Sequence, residues 1–207
     1  MLKITDLNHS YGETIISYPD WQVAQGEHSL ILGNSGSGKT TLLHLIGGLM
    51  TPLNGMLEID GKNIGQLSKA KLDRFRGEHI GIVFQKSHLV RSLTVKENIM
   101  LSQWLGQRKT NARQCDEIME KLAIADLKLR KVHEISQGQA QRVSIARALV
   151  NHPKLLLADE PTASLDDENC ARVIGLLKTQ ASENSSTLIV ATHDQRVKDE
   201  FKNQLSL

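Results

Sequence analysis

Residues 33–40 read Gly-Asn-Ser-Gly-Ser-Gly-Lys-Thr, an octet that fits the pattern G-x-x-x-x-G-K-[ST]. It stands between an apolar run, "HSLILG", and "TTLLHLIGGLM", whose apolar residues recur at helical spacing. Strand, glycine-rich loop and helix in that order predict a phosphate-binding turn at the edge of an α/β sheet. Glycines at 33, 36 and 38 let the backbone curl until successive N–H groups face an anion. The helix that follows adds the positive end of its dipole. Lys39 supplies a charge for β- and γ-phosphates, and the Thr40 hydroxyl is a ligand for Mg²⁺. A bare glycine turn before a helix is the alternative, and it leaves Lys39-Thr40 without a reason. The stretch predicts a nucleoside triphosphate site.

Two further apolar runs supply what such a site lacks. "LLLADE", residues 155–160, carries Asp159 and Glu160 at its end. Asp159 holds Mg²⁺, directly or through water, and Glu160 polarises the attacking water as general base. Alone, two acids after an apolar run equally suit a helix N-terminus; beside a phosphate loop they predict catalysis. "STLIVATH" ends at His193 and "HIGIVFQ" at Gln85. Ligands of parallel sheets sit outside the carboxyl ends of the strands, so His193 and Gln85 are expected at the same edge. The Gln85 amide is then in reach of Mg²⁺ and the lytic water. A satisfied structural histidine is the alternative for His193, and a plain polar strand end for Gln85.

The remaining organisation follows from periodicity. "LKITDLNHSY" and "TIISYPDWQVAQGEHSLIL" are short, alternating and turn-punctuated, as antiparallel strands are. "MLEIDGKNI" is a further hairpin strand, and "LSKAKLDRFRG" a charged surface helix. From about residue 93 to 150 the pattern is wholly helical, in "LTVKENIMLSQWL", "ARQCDEIMEKLAIADL" and "GQAQRVSIARALVN". "KLLLADEP" and "STLIVATH" are buried parallel strands flanking the helix "DENCARVIGLLKTQA". The expected architecture is an α/β parallel sheet interrupted by a helical insertion of about 60 residues.

Composition excludes several classes. A net charge of +2, from 25 basic and 23 acidic residues, offers no electrostatic case for nucleic acid. Aromatics at 3% are too few for a base-stacking platform. No apolar run approaches the ~18 residues that span a bilayer, and the first residues lack a signal-peptide apolar core. A cytoplasmic protein is expected, with any membrane role exercised through a partner. Cys115 and Cys170 have no partner at metal-ligand spacing and are expected as free thiols in a reducing compartment.

Taken together, the octet 33–40, Gln85, "ISQGQ" at 135–139, "LLLADE", "SLD" at 164–166 and His193 resemble, in order and approximate spacing, the nucleotide-binding subunit of an ABC (ATP-binding cassette) protein. "GNSGSGKTTLLHLIGGLMTPLNGML" and "IGIVFQKSHLVRSLTVKENIML" look most like one branch, that of the lipoprotein-releasing, macrolide-exporting, antimicrobial-peptide-resistance and cell-division ATPases. The resemblance implies a P-loop NTPase fold with a RecA-like core, about 1–88 and 151–207. It adds an antiparallel β subdomain, and a helical subdomain at about 89–150. It also implies two ATPs held between two cassettes facing head to tail, a homodimer or a pair with an equivalent second cassette. Gly33, Asn34, Ser35, Gly36, Ser37, Gly38, Lys39, Thr40 and Thr41 then cradle ATP. Thr40, Gln85 and Asp159 serve Mg²⁺, Glu160 is the base, and His193 contacts the γ-phosphate. Tyr11 stands where the family stacks an aromatic on adenine, with a strand-surface tyrosine as the alternative. Asp166 crosses the dimer interface. Ser136, Gly138 and Gln139 match the family signature, usually Leu-Ser-Gly-Gly-Gln, which reaches the partner's γ-phosphate. Gln137 replaces its first glycine and departs from the pattern. Arg142 and Arg147 on the following helix are expected in salt bridges on a solvated face.

An ATPase driving an integral membrane permease subunit is the leading functional expectation, with a coupling helix received beside Gln85 and "KSHLVRSLTVKENI". Leu89, Val90 and Leu93 there suit subdomain core equally well. The alternative is a mechanical or regulatory ATPase of the cell-division type that moves no substrate. Soluble two-cassette proteins and P-loop kinases lack counterparts here to their extra cassette or lid arginines.

Overall fold

The computed structural model describes residues 1–106, 109–163 and 165–207. Ser164, the first residue of "SLD", lies outside the described residues. Two sheets organise the chain. The antiparallel sheet runs β2 (Thr14–Ser17), β1 (Leu2–Tyr11), β5 (Asn54–Ile59), β6 (Lys62–Asn63), and β3 (Trp21–Val23) also pairs with β1. The second sheet is parallel throughout, in the order β10 (Asn203–Ser206), β4 (Ser29–Leu32), β9 (Thr187–Thr192), β8 (Leu155–Asp159), β7 (Ile80–Val83). The segment expected to be antiparallel thus divides. Thr14–Ser17 and Trp21–Val23 are antiparallel, but Ser29–Leu32 join the parallel sheet, where all four are buried.

Alternation along the parallel strands builds two cores. Leu30, Leu32, Leu156, Ala158, Leu188 and Val190 face one side, packing with the helices α3 (Val95–Leu105), α4 (Ala112–Lys121), α5 (Gln137–Leu149) and α6 (Asp167–Glu183). Ile31, Leu155, Leu157, Ile189 and Ala191 face the other, against α1 (Lys39–Ile46) and the inner face of the antiparallel sheet. Each fully buried Leu, Ile or Val contributes roughly 1.5–3 kcal/mol. Pairing is such that Leu32 stands beside Thr192, Asp159 beside Ala191, and Val83 beside Ala158. Four strands therefore end level, and their carboxyl ends form one platform.

Three details differ from the periodicity. α4 stops at Lys121 rather than running to Leu127, because Ala123 adopts a left-handed conformation (φ 53°). β10 is too short to announce itself by pattern; its pairing with β4 closes a sheet edge. Leu89 packs against the core while Val90 is 39% exposed, so that the stretch after Gln85 is neither all core nor all surface. Cys115 and Cys170 are buried free thiols.

Candidate active site

The loop after β4 is held open by its own backbone chemistry. Gly38 precedes α1 at φ 96° and Gly36 stands at φ 84°, conformations a side chain opposes. Gly33 needs its identity for a different reason: a Cβ there would collide with Ser37 Oγ and stand 2.7 Å from the Leu207 carbonyl oxygen. Lys39 is 5% exposed, and its Nζ donates to the carbonyl oxygens of Gly33 and Asn34 at 2.9 and 3.0 Å. The ammonium is thus pinned at the centre of the ring of loop amides. Tyr18, buried behind the loop, donates its hydroxyl to the Gly38 carbonyl at 3.3 Å, and desolvation pushes its pKa up to about 12.

Around this loop the platform collects the expected partners. Tyr11, Ser35, Gly36, Gly38, Lys39, Thr40, Thr41, Gln85, Glu160 and His193 line one open cleft of about 530 Å³. Tyr11 stands at the end of β1 with half its surface exposed, and its hydroxyl shares a hydrogen bond with Thr41 Oγ1 at 3.1 Å. Gln85 lies two residues beyond the end of β7 and is exposed to the cleft.

Glu160 is the most constrained residue of the set. Its backbone is left-handed (φ 46°), fixed by donation of its N–H to the Ala191 carbonyl at 2.8 Å. Such a conformation costs roughly 1–3 kcal/mol in a non-glycine residue and persists only where the surroundings impose it. Here it aims the carboxylate back over the platform. Oε2 accepts from Thr192 Oγ1 at 2.8 Å, and Oε1 accepts from the His193 backbone N–H at 3.2 Å. The His193 ring nitrogen Nδ1 is 2.9 Å from Oε1, and Lys39 Nζ is 3.7 Å away. One Glu160 carboxylate oxygen therefore already faces the loop's cation.

Asp159 accepts a hydrogen bond from Thr40 Oγ1 at 3.1 Å. Burial pushes its pKa up, opposed by that hydrogen bond and by His44. A hydroxyl and a carboxylate side by side at the cleft are the hard oxygen donors Mg²⁺ takes, with phosphate oxygens and water supplying the rest. Among the described residues no group of three or more His, Cys, Asp or Glu is gathered for a metal. The donor set thus fits a cation brought with a polyphosphate rather than one held by protein alone.

The signature residues lie outside this cleft. Ser136 caps α5: its hydroxyl accepts from the Gln139 N–H at 3.3 Å, while the Gln139 side chain accepts from the Ser136 N–H at 2.8 Å. Gln137 is the first helical residue, exposed, with an ordinary negative φ. It borders a neighbouring cavity of about 280 Å³ shared with Gln85 and Glu160. The room that glutamine requires is therefore present. Gln137→Gly is expected to preserve or raise ATP turnover and to cost about 1 kcal/mol or less in thermal unfolding; a severe loss of turnover would assign the side chain a role of its own. Asp166 caps α6, accepting from the Asn169 N–H at 2.8 Å, which holds its carboxyl below the usual range.

Arg142 and Arg147 correct an expectation. Among the described residues neither has a salt-bridge partner; both donate to carbonyls. Arg142 donates to Leu122 at 3.3 Å, and Arg147 donates to Ser87 and His88 at 2.6 and 2.8 Å. Arg147 therefore fastens α5 to the segment after Gln85, where His88 is left-handed (φ 45°). Sequence reasoning also passed over Tyr18, Thr192, Asp194 and Arg196. Only the last three carry a one-dimensional signal, their place directly around His193.

A family model described as "ABC transporter" matches residues 17–163. The lipoprotein-releasing system ATP-binding protein LolD of Psychrobacter arcticus is 37% identical over the whole of this chain and 95% of its own length. The bacitracin export ATP-binding protein BceA of Halalkalibacterium halodurans is 35% identical over 94% of this chain and 79% of its own. Among solved structures, the dimeric bacterial ABC transporter cassette MJ0796 superposes with a TM-score of 0.89 at 33% identity, covering 100% of this chain and 94% of that one. A dimeric post-hydrolysis state of MJ0796, bound to ADP and Pi, superposes at 0.88 with the same identity and coverage.

Proposed function

The chain belongs to the ABC transporter family, as an ATP-hydrolysing cassette, and from that premise we propose that ATP closes it head to tail on a second cassette to drive an integral membrane permease. The observation that carries the reading is the convergence of Tyr11, the phosphate loop, Gln85, Glu160 and His193 on one cleft.

Each residue's role follows from its position. Loop amides and Lys39 take the phosphates, and Tyr11 offers its exposed ring to the adenine. Thr40 and Asp159, with Gln85, hold Mg²⁺, which when bound neutralises phosphate charge. Glu160 accepts a proton from the attacking water, and His193, hydrogen-bonded to it, meets the γ-phosphate. Ser136, Gly138 and Gln139 act on the second cassette's nucleotide. In support, a Cβ at Gly138 would meet nothing of this chain within 4 Å. Outside its own helical turn, no packing contact among the described residues calls for the glycine, and close approach of an outside phosphate would. Asp166 faces the same junction.

Among the described residues no helix is long and apolar enough to cross a membrane, and the permease enters this reading as the cassette's partner. Its docking place is a groove of about 590 Å³ between α2 (Lys69–His79), α3 and the segment after Gln85. Leu49, Phe84, Leu101 and Leu105 make it apolar, and Arg147 and Asp73 give it polar walls. The cassette works from the cytoplasmic face through that partner. The relatives LolD and BceA are named for lipoprotein release and bacitracin export, which supports a reading in which the permease selects the cargo.

Three measurements test this: phosphate release from MgATP, sedimentation with MgATP against MgADP, and co-purification with a permease encoded beside the chain. Turnover with an ATP-dependent dimer and a bound permease is expected. Turnover without any dimerisation would overturn the closing mechanism.

A further inference from the structure

We propose that Arg196 is a positioning residue that locks the loop bearing Asp166 to the segment bearing His193, and thereby couples hydrolysis to closure between cassettes. The inference rests on the site reading given above. Arg196 lies in a 3-10 turn, Gln195–Glu200, three residues past His193. All five of its N–H donors are engaged. Nε and Nη2 fork onto the two Asp194 carboxylate oxygens at 2.8 and 2.7 Å. Nη1 and Nη2 both donate to the Leu165 carbonyl at 3.1 Å, and Nη1 reaches Asp167 at 2.6 Å.

The targets are what make this more than a surface ion pair. Leu165 is the residue before Asp166, and Asp167 the residue after it, so the guanidinium grips both flanks of the expected junction residue. On its other side, Asp194 is 11% exposed and accepts from Thr162 Oγ1 at 3.0 Å. Its backbone N–H donates to Thr192 Oγ1 at 3.0 Å, and the same Thr192 hydroxyl donates to Glu160. An unbroken hydrogen-bond chain thus runs Glu160, Thr192, Asp194, Arg196, Leu165. The guanidinium holds the Asp194 carboxyl well below the usual carboxylate range, as a forked charge-assisted pair does. The Asp167 arm is exposed and adds little. Lysine has no planar fork and cannot span carboxylate and carbonyl at once. The Arg196 hydrogen bonds go to Asp194, Leu165 and Asp167 and to no residue of the phosphate loop, so nucleotide binding by one cassette is expected to be independent of them.

The test uses the full chain with Arg196→Ala and Arg196→Lys, and Arg113→Ala as control, since Arg113 is exposed on α4 and pairs with exposed Glu117. Both Arg196 variants are expected to lose about tenfold in kcat and to show a shallower, less cooperative ATP dependence, with ADP affinity unchanged. Native kcat and cooperativity in either variant would overturn the clamp, as would an ADP affinity that falls in step with kcat, the mark of a merely structural role. If Arg196→Ala fails to fold, Arg196→Lys decides alone by the same criteria. Glu160→Gln is assayed beside them: should it turn over normally, the site reading fails, whereas a dead Glu160→Gln with native Arg196 variants removes the clamp alone.

Discussion

Glu160→Gln is expected to lose at least ~100-fold in ATP turnover while still binding ATP, the span a positioned general base supplies. The amide matches the carboxylate in shape but cannot accept a proton from water at neutral pH. It also retains one acceptor oxygen where the native side chain uses two, one for Thr192 and one for His193. The loop amides and Tyr11 are untouched, and Lys39 loses a facing charge but keeps its bonds to the Gly33 and Asn34 carbonyls, so the nucleotide stays. An ATP-bound dimer is then expected to accumulate, visible as a doubled mass on sedimentation with MgATP. Phosphate release at the native rate would remove Glu160 from the role of base.

Lys39→Ala is expected to abolish useful nucleotide binding, and for two separable reasons. A hydrogen bond to a charged group contributes about 1.5–3 kcal/mol, which is roughly 10- to 100-fold in affinity. The buried ammonium also donates to the Gly33 and Asn34 carbonyls, so its loss leaves both without that donor and relaxes the loop. Calorimetric scans with and without MgATP separate these effects. Native protein gains about 2.7 kcal/mol of apparent stability at a ligand concentration of 100 Kd, and a variant weakened 10- to 100-fold gains only about 1.4 to 0.4 kcal/mol at that concentration. The variant also unfolds at lower temperature with no nucleotide present. An unchanged MgATP shift would mean that the loop amides hold the phosphates unaided.

Much of this site was legible because its chemistry is local. An octet with glycines and a terminal Lys-Thr states its geometry within eight residues, and the structure divides the glycine requirement in two. Gly36 and Gly38 need positive φ; Gly33 needs the absence of a Cβ. Asp159, His193 and Gln85 were found because apolar runs end at or just before them and parallel strands end together. Arg147 was misjudged for the converse reason. Helical spacing gives the face a residue occupies, but its carbonyl partners are 59 and 60 residues away. Arg196 is hidden likewise, its Leu165 target being 31 residues back.

By itself the sequence determined the strand–loop–helix unit, the two acids at a buried strand's end, and the three helices α3, α4 and α5. All follow from short-range periodicity and from residue types whose backbone or charge chemistry has few other uses. Tertiary structure alone decided which strands share a sheet, where the chain's last strand pairs, and that Glu160 takes a left-handed turn to face Thr192 and His193. It also decided that Ser136 and Asp166 each cap a helix through a side-chain hydrogen bond. The strand pairings and the Glu160 turn depend on hydrogen bonds between residues far apart in the chain, which form only when packing brings the carboxyl ends of four parallel strands level.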